Sequence, residues 1–239
     1  MIILYHISQI LQEGKSFLIN NKNNGQHRVL LGFGLAFLVI FAVWVGLVAS
    51  QSSFIAGYDR AIYGAIRNSN QAEYRLASLW TQVGDTIVIT TISIALVLIL
   101  AIFKKYGYAI FTSLVMICAN GCNSIIKHVV KRQRPRIAAS LNATGFSFPS
   151  GHSVGSMSLA IVLITLICLL VKQKPAKTIL IALCVCFTLS IGFTRMYLHV
   201  HWPSDVTGGW LEGLTFGLLG AWILLWSEER KAAKERLWQ

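Results

Sequence analysis

The chain has 239 residues, 55% of them apolar and 13% charged, and its mean hydropathy of +0.62 is too high for a soluble domain of ordinary composition. A formal charge of +12 invites a nucleic-acid reading. The cations, however, come in short blocks between long apolar runs, the placement of Lys and Arg that flank membrane spans. A multi-pass membrane protein is expected, with no nucleic-acid partner.

Residues 1–28 form an expected cytoplasmic N-terminal segment. Met1–Tyr5 is too short for a secretory h-region, and no small-residue cleavage site follows it. Ile3, Ile7, Ile10 and Leu11 recur at helical spacing, which suits a short helix on the membrane surface. Val29–Ser50 is the first expected span, long enough for a hydrocarbon core of about 30 Å. Between 51 and 84, one helical face carries Ile55, Tyr58, Ile62 and Ile66, with Asp59, Arg60 and Arg67 as the polar residues. A second carries Tyr74, Leu76, Leu79, Trp80 and Val83. Both read as interfacial helices, with Trp80 at headgroup depth.

Asp85 is placed to cap the second span, Thr86–Phe103. The third runs from Tyr106 to Ile126, and Asn120, Gly121 and Asn123 turn its last part toward protein rather than lipid. After a polar connector over 127–149, the remaining spans are Ser153–Val171, Thr178–Phe193 and Val206–Trp226, followed by a charged tail over 227–239. Cys118, Cys122, Cys168, Cys184 and Cys186 all fall inside apolar runs and read as packing residues. The expected architecture is therefore an all-α integral membrane bundle of six transmembrane helices over residues 29–226, with extracytoplasmic interfacial helices.

Six spans put both termini on one side. That side carries 12 Lys and Arg against 9 on the other, and 6 of those 9 lie in the polar clusters described next. Discounting them assigns the termini to the cytoplasm. The clusters then share the opposite, extracytoplasmic face, because no span separates Arg134 from Ser150 and two separate His152 from Arg195.

The first cluster holds Lys127 and Arg134-Pro135, a point charge and a fork for phosphate oxygens. Lys131, Arg132 and Arg136 nearby suit a basic loop on anionic headgroups. The second cluster, Pro149-Ser150-Gly151-His152, opens the fourth span. Free amides at a helix start favour an anion, Gly151 admits close approach and the Ser150 hydroxyl can donate. The blander alternative is a helix cap with an exposed His. In the third, His201 and Asp205 stand four apart across Pro203. The carboxylate can fix one ring nitrogen and leave the other as nucleophile or base. His199 has no carboxylate at helical spacing and ranks as a bystander. Arg195 ends the fifth span, where an unpaired cation is costly and a bound anion or an acidic neighbour would offset the cost.

In this order the clusters resemble the type-2 phosphatidic acid phosphatase family of membrane lipid phosphatases, whose signature is K-x6-R-P, P-S-G-H and S-R-x5-H-x3-D. Lys127 to Pro135, Pro149 to His152, and Arg195, His201 and Asp205 carry the resemblance, which covers about residues 50–226; Thr194 stands where Ser is usual. The resemblance implies that His201 attacks phosphorus, Asp205 orients it, and His152 protonates the leaving oxygen and then activates water. It also implies that Lys127, Arg134, Arg195, Ser150 and the Gly151 amide hold the phosphate, with no metal or other cofactor. Undecaprenyl diphosphate, phosphatidylglycerol phosphate and phosphatidic acid are the candidate substrates. A lipid phosphotransferase and a non-catalytic membrane binding protein are the alternatives. A haloperoxidase with a similar anion site is disfavoured by the six apolar runs.

Overall fold

The structure is a computed structural model and describes residues 26–66, 71–135 and 145–237. The surface helix expected near Ile3–Leu11, and Arg67 and Arg136, lie outside the described residues. Those residues form eight α-helices and no strand. They are α1 Gln26–Ala49, α2 Ser53–Ala65, α3 Gln71–Thr81, α4 Thr86–Ile102, α5 Tyr106–Val130, α6 Gly151–Leu170, α7 Lys174–Tyr197 and α8 Pro203–Leu237. A 3-10 turn, Gln82–Gly84, joins α3 to α4. The all-α membrane bundle expected from the sequence is what forms.

Five helices are long and apolar enough to cross a membrane: α5, α6, α7, and most of α1 and α8. The remaining span expected from the sequence, Thr86–Phe103, is α4. Its 17 residues reach only about 25 Å at 1.5 Å per residue. It joins α3 and the 3-10 turn at a bend of 41°, and the pair together is long enough.

The bundle is built around α6. In its most apolar stretch 83% of residues are buried, against 17% for α1, which marks α6 as the axis and α1 as an outer helix. A helix that is apolar all round belongs at such a centre. Helices α4, α5, α7 and α8 pack on α6, and α1 lies along the far side of α8. The α6–α8 seam is close because of three glycines on α8. A Cβ at Gly209, Gly213 or Gly217 would come within 2.7, 2.7 and 2.6 Å of Ser153, Met157 and Ile161 respectively. Small residues at every fourth position let two helix backbones approach in this way.

Local chemistry sets the helix ends. Lys177 is buried, and its Nζ donates to the Cys168 carbonyl at 3.3 Å, satisfying an acceptor in the last turn of α6. Helix α5 ends at Lys131, whose left-handed φ of 51° reverses the chain and turns Arg132 back toward the bundle. Asp85 makes no capping hydrogen bond with its side chain, contrary to the expectation; its carboxylate is used elsewhere. Of the polar residues in α5, Asn123 is buried, whereas Gly121 has nothing within 4 Å of where a Cβ would stand.

Candidate active site

All eight residues singled out in the sequence gather at one end of the bundle, where α5 ends and α6 and α8 begin. His201 lies on the short loop between α7 and α8 and is 2% exposed. Its Nε2 is 3.0 Å from Arg134 Nη1. A guanidinium can only donate, so Nε2 is the accepting nitrogen and the ring proton sits on Nδ1. Burial, and then Arg134, Arg195 and Lys127, hold the His201 pKa well below its ordinary value. The ring is therefore a neutral imidazole whose lone pair points at a cluster of three cations.

Asp205 stands behind the other edge of the ring, with Oδ2 3.4 Å from His201 Nδ1. That is too long for a good hydrogen bond as it stands, and Nδ1 has no other hydrogen-bond partner among the described residues. Oδ2 also accepts the Trp202 amide at 2.9 Å. This is the reach-back half of a capping box, from the third residue of α8 to the residue before it.

The phosphate-side residues arrive from three helices. Lys127, in the last turn of α5, donates to the Phe146 carbonyl at 3.2 Å. Arg134 donates to the carbonyls of Gly145 and Val200 at 3.1 and 2.9 Å, which ties both flanking loops to its guanidinium. Arg195, in the last turn of α7, donates to Thr81 Oγ1 at 2.9 Å, while its buried Nε has no partner. Ser150 is fully buried, and its Oγ is likewise unpartnered. The Ser150 amide donates to the Asp205 carbonyl, and the α6 ladder begins only with Val154 donating to Ser150. The amides of Gly151, His152 and Ser153 are thus left at the positive end of the helix. A Cβ at Gly151 would be no closer than 3.7 Å to Asn123 Oδ1, so protein packing does not demand glycine there.

His152, one residue into α6, lies within electrostatic reach of Arg195, His201, Arg134 and Lys127. Its Nε2 is 2.9 Å from Asp85 Oδ1, the carboxylate expected to cap α4. His199 stays apart from this centre: its ring stacks on Tyr63 at 4.6 Å. Thr194 turns its hydroxyl back onto the Ile191 carbonyl at 2.6 Å.

Taken together, the geometry offers a neutral nucleophile, three cations, a buried hydroxyl, helix-start amides and a second histidine around one point. A model of the PAP2 superfamily matches residues 106–230, just over half of the chain. The chain belongs to the PAP2 superfamily. The matched segment of this PAP2 protein contains all eight site residues. Among relatives, phosphatidylglycerophosphatase B of Bacillus subtilis is 35% identical over 96 residues, covering 38% of this chain and 46% of that protein. The undecaprenyl-diphosphatase of Sulfolobus acidocaldarius is 30% identical over 135 residues, covering 54% and 57%. The lipid A 4'-phosphatase of Bacteroides thetaiotaomicron is 30% identical over 124 residues, covering 47% and 50%. The chain spans about half the length of the curated relatives it matches. In fold it is similar to the crystal structure of a transmembrane PAP2 type phosphatidylglycerolphosphate phosphatase from Bacillus subtilis. The TM-score is 0.70 at 21% identity, over 79% of this chain and 94% of that one.

Three features of this PAP2 site escaped the sequence reading. Arg132 is not a free headgroup cation. It pairs with Asp205 and with Asp59, at 2.7 Å each. Asp59, read as one of the polar residues of α2, is buried on the same side as Ile55. The i,i+4 spacing of Ile55 and Asp59 was the available signal. The third is Asn123, which donates to the Pro149 carbonyl and to Glu212 Oε2, both at 3.3 Å, and so bridges α5, the start of α6 and α8.

Proposed function

We propose that this PAP2 protein is a lipid phosphatase that works in two steps through a phosphohistidine. The observation that carries the reading is the His201 ring, neutral and proton-bearing on Nδ1, with its Nε2 lone pair turned to Arg134 at 3.0 Å. A phosphate monoester or diphosphate seated among Lys127, Arg134 and Arg195 puts phosphorus in front of that lone pair. The Nε2–P bond forms as the P–O bond breaks, and protonated His152 gives its proton to the leaving oxygen. The ring becomes cationic in this step, and Asp205 offsets its charge. Water then attacks phosphorus, His152 takes its proton, the Nε2–P bond breaks, and phosphate leaves with the ring neutral again. The cations, the Ser150 hydroxyl and the helix-start amides stabilise charge on the phosphoryl oxygens throughout.

A membrane-embedded site at the end of a bundle suits a substrate whose head enters while its tails stay in the bilayer. The names of the relatives point to the same class. Phosphatidylglycerol phosphate, undecaprenyl diphosphate and phosphatidic acid are the substrates to test, and the distribution of Lys and Arg along the chain supports a site at the extracytoplasmic face with both termini in the cytoplasm.

The test is phosphate release from these three lipids by detergent-solubilised protein, with a chelator present. Turnover is expected to survive the chelator and to vanish in His201→Ala. Turnover should vanish in His152→Ala as well, and with the phosphate labelled His201→Ala forms no labelled protein. Wild-type turnover in His201→Ala would sink the reading.

A further inference from the structure

We propose that Arg132 and Asp59 are positioning residues for the nucleophile, forming a relay in which Asp59 fixes Arg132, Arg132 fixes Asp205, and Asp205 orients His201. The inference rests on the phosphohistidine reading above and extends it to Asp59, outside the signature, and to Arg132, at one of the signature's unspecified positions.

Each Asp205 oxygen has a separate task. Oδ1 takes Arg132 Nη1 at 2.7 Å, while Oδ2 takes the Trp202 amide and faces His201 Nδ1. The carboxylate is fully buried. Without Arg132 the buried carboxylate would keep only neutral partners, the Trp202 amide and the Ser147 hydroxyl, and would have to bear an uncompensated charge or take up a proton. An unpaired buried charge is strongly unfavourable, and a protonated Asp205 carries no charge to offset the cationic phosphohistidine. The guanidinium therefore holds both the rotation and the charge of the group behind the nucleophile.

Arg132 is held in turn. Nη2 donates to Asp59 Oδ2 at 2.7 Å, Nη1 donates also to Ser204 Oγ at 2.6 Å, and the guanidinium carbon lies 5.4 Å from the Trp202 ring centroid. Asp59 Oδ1 accepts the Ser204 amide at 2.8 Å and Oδ2 the Ser204 hydroxyl at 2.9 Å, so α2 also caps the start of α8. The planar fork of arginine serves two carboxylates at once, which an ammonium does not reproduce. The neighbouring Lys131 is exposed and supplies only the left-handed turn that brings Arg132 inward.

Residues that hold the partner of a reacting group typically contribute about 10- to 100-fold to activity. The test uses the full chain in detergent with dioctanoyl phosphatidic acid as substrate. In Arg132→Ala we expect kcat to fall by about 10- to 100-fold while KM stays near that of the wild type. Added guanidinium ion should restore part of the kcat of Arg132→Ala and none of it elsewhere. Arg132→Lys should melt as the wild type does and turn over at an intermediate rate. Asp59→Asn should lower kcat in the wild-type background and far less in the Arg132→Ala background. Lys172→Ala, an exposed charge in the turn between α6 and α7, should leave turnover unchanged.

A wild-type kcat in Arg132→Ala, or a loss confined to KM, overturns the relay. So does a loss that guanidinium cannot restore and that travels with a lower melting temperature. The relay is also readable without turnover. The His201 Nδ1–H proton faces Asp205 Oδ2 at 3.4 Å, so its resonance should move in Arg132→Ala, and an unmoved resonance overturns the relay. A wild-type protein that releases no phosphate but shows this shift overturns the phosphatase reading alone.

Discussion

His201 is held ready by its surroundings rather than by its own chemistry. An imidazole in water is half protonated near pH 6.5 and then carries no free lone pair. Here burial and three cations depress the pKa, so the ring, the proposed nucleophile, stays neutral as pH falls through 6.5 and is protonated only at lower pH. The acid limb of kcat/KM is therefore not expected to begin at the ordinary histidine value. Replacing Arg134 with Gln removes one of the depressing charges and should move that limb upward toward 6.5, as read from kcat/KM against pH. At Gly151 the pocket around a Cβ is open, so Gly151→Ala should fold at close to the wild-type melting temperature. On the proposed mechanism its activity should nevertheless fall by about tenfold or more, because close approach of a phosphate oxygen to the helix-start amides leaves no room for an added methyl. The residues that gather at the candidate site were legible in the sequence because their spacing points to phosphate chemistry. Arg132 and Asp59 were not, since each looks like an ordinary surface charge until the chain folds back.

Helix α2 shows what an element adds. Its sequence pattern announced an amphipathic helix, and Ile55 is buried as expected. Its polar side chains do more than face water. Tyr58 shares a 2.7 Å hydrogen bond with Thr207, and Tyr63 donates to the His201 carbonyl at 2.6 Å. Burial raises the Tyr63 pKa, which keeps the phenol a donor. Trp44 of α1 adds a bond to the Ser204 carbonyl at 3.0 Å. The loop bearing the nucleophile is thus clamped from outside the bundle. On the inner side, Asn123 ties Pro149 to Glu212. Asn123→Ala removes the donor and leaves buried acceptors unpaired, so it should cost about 1–3 kcal/mol, measurable as a lower melting temperature in detergent.

At the scale of the molecule, the site depends on how closely α6 and α8 approach. That seam sets the distance between Ser150–His152 on one helix and Asp205 on the other. A Cβ at Gly213 would stand 2.7 Å from Met157 Cβ and 3.0 Å from the Ser158 amide nitrogen, a backbone atom that cannot swing away. Gly213→Ala should therefore lose about 1–3 kcal/mol of stability and carry activity down with it, although it touches no site residue. The orientation of the whole bundle is testable by labelling single cysteines in a cysteine-free background. With the site outside, Lys131→Cys should react with an impermeant thiol reagent on intact cells, and Lys234→Cys only after permeabilisation.

The sequence by itself determined the class of this protein. Apolar runs of span length admit only helices in a bilayer, because backbone groups there must bond within their own segment. Loop order then brought the polar clusters to one end of those helices, and spacing alone paired His201 with Asp205. Tertiary structure decided which charges work together. Asp59 and Arg132 are 73 residues apart, as are Arg132 and Asp205. A one-dimensional pattern carries no sign of an ion pair across such a distance, since the pairing depends on the left-handed turn at Lys131 and on α2 folding over the start of α8. The same holds for His152 and Asp85, which local spacing had assigned to a helix cap. Burial in the folded chain, not residue type, made these charges seek each other, and so made the nucleophile what it is.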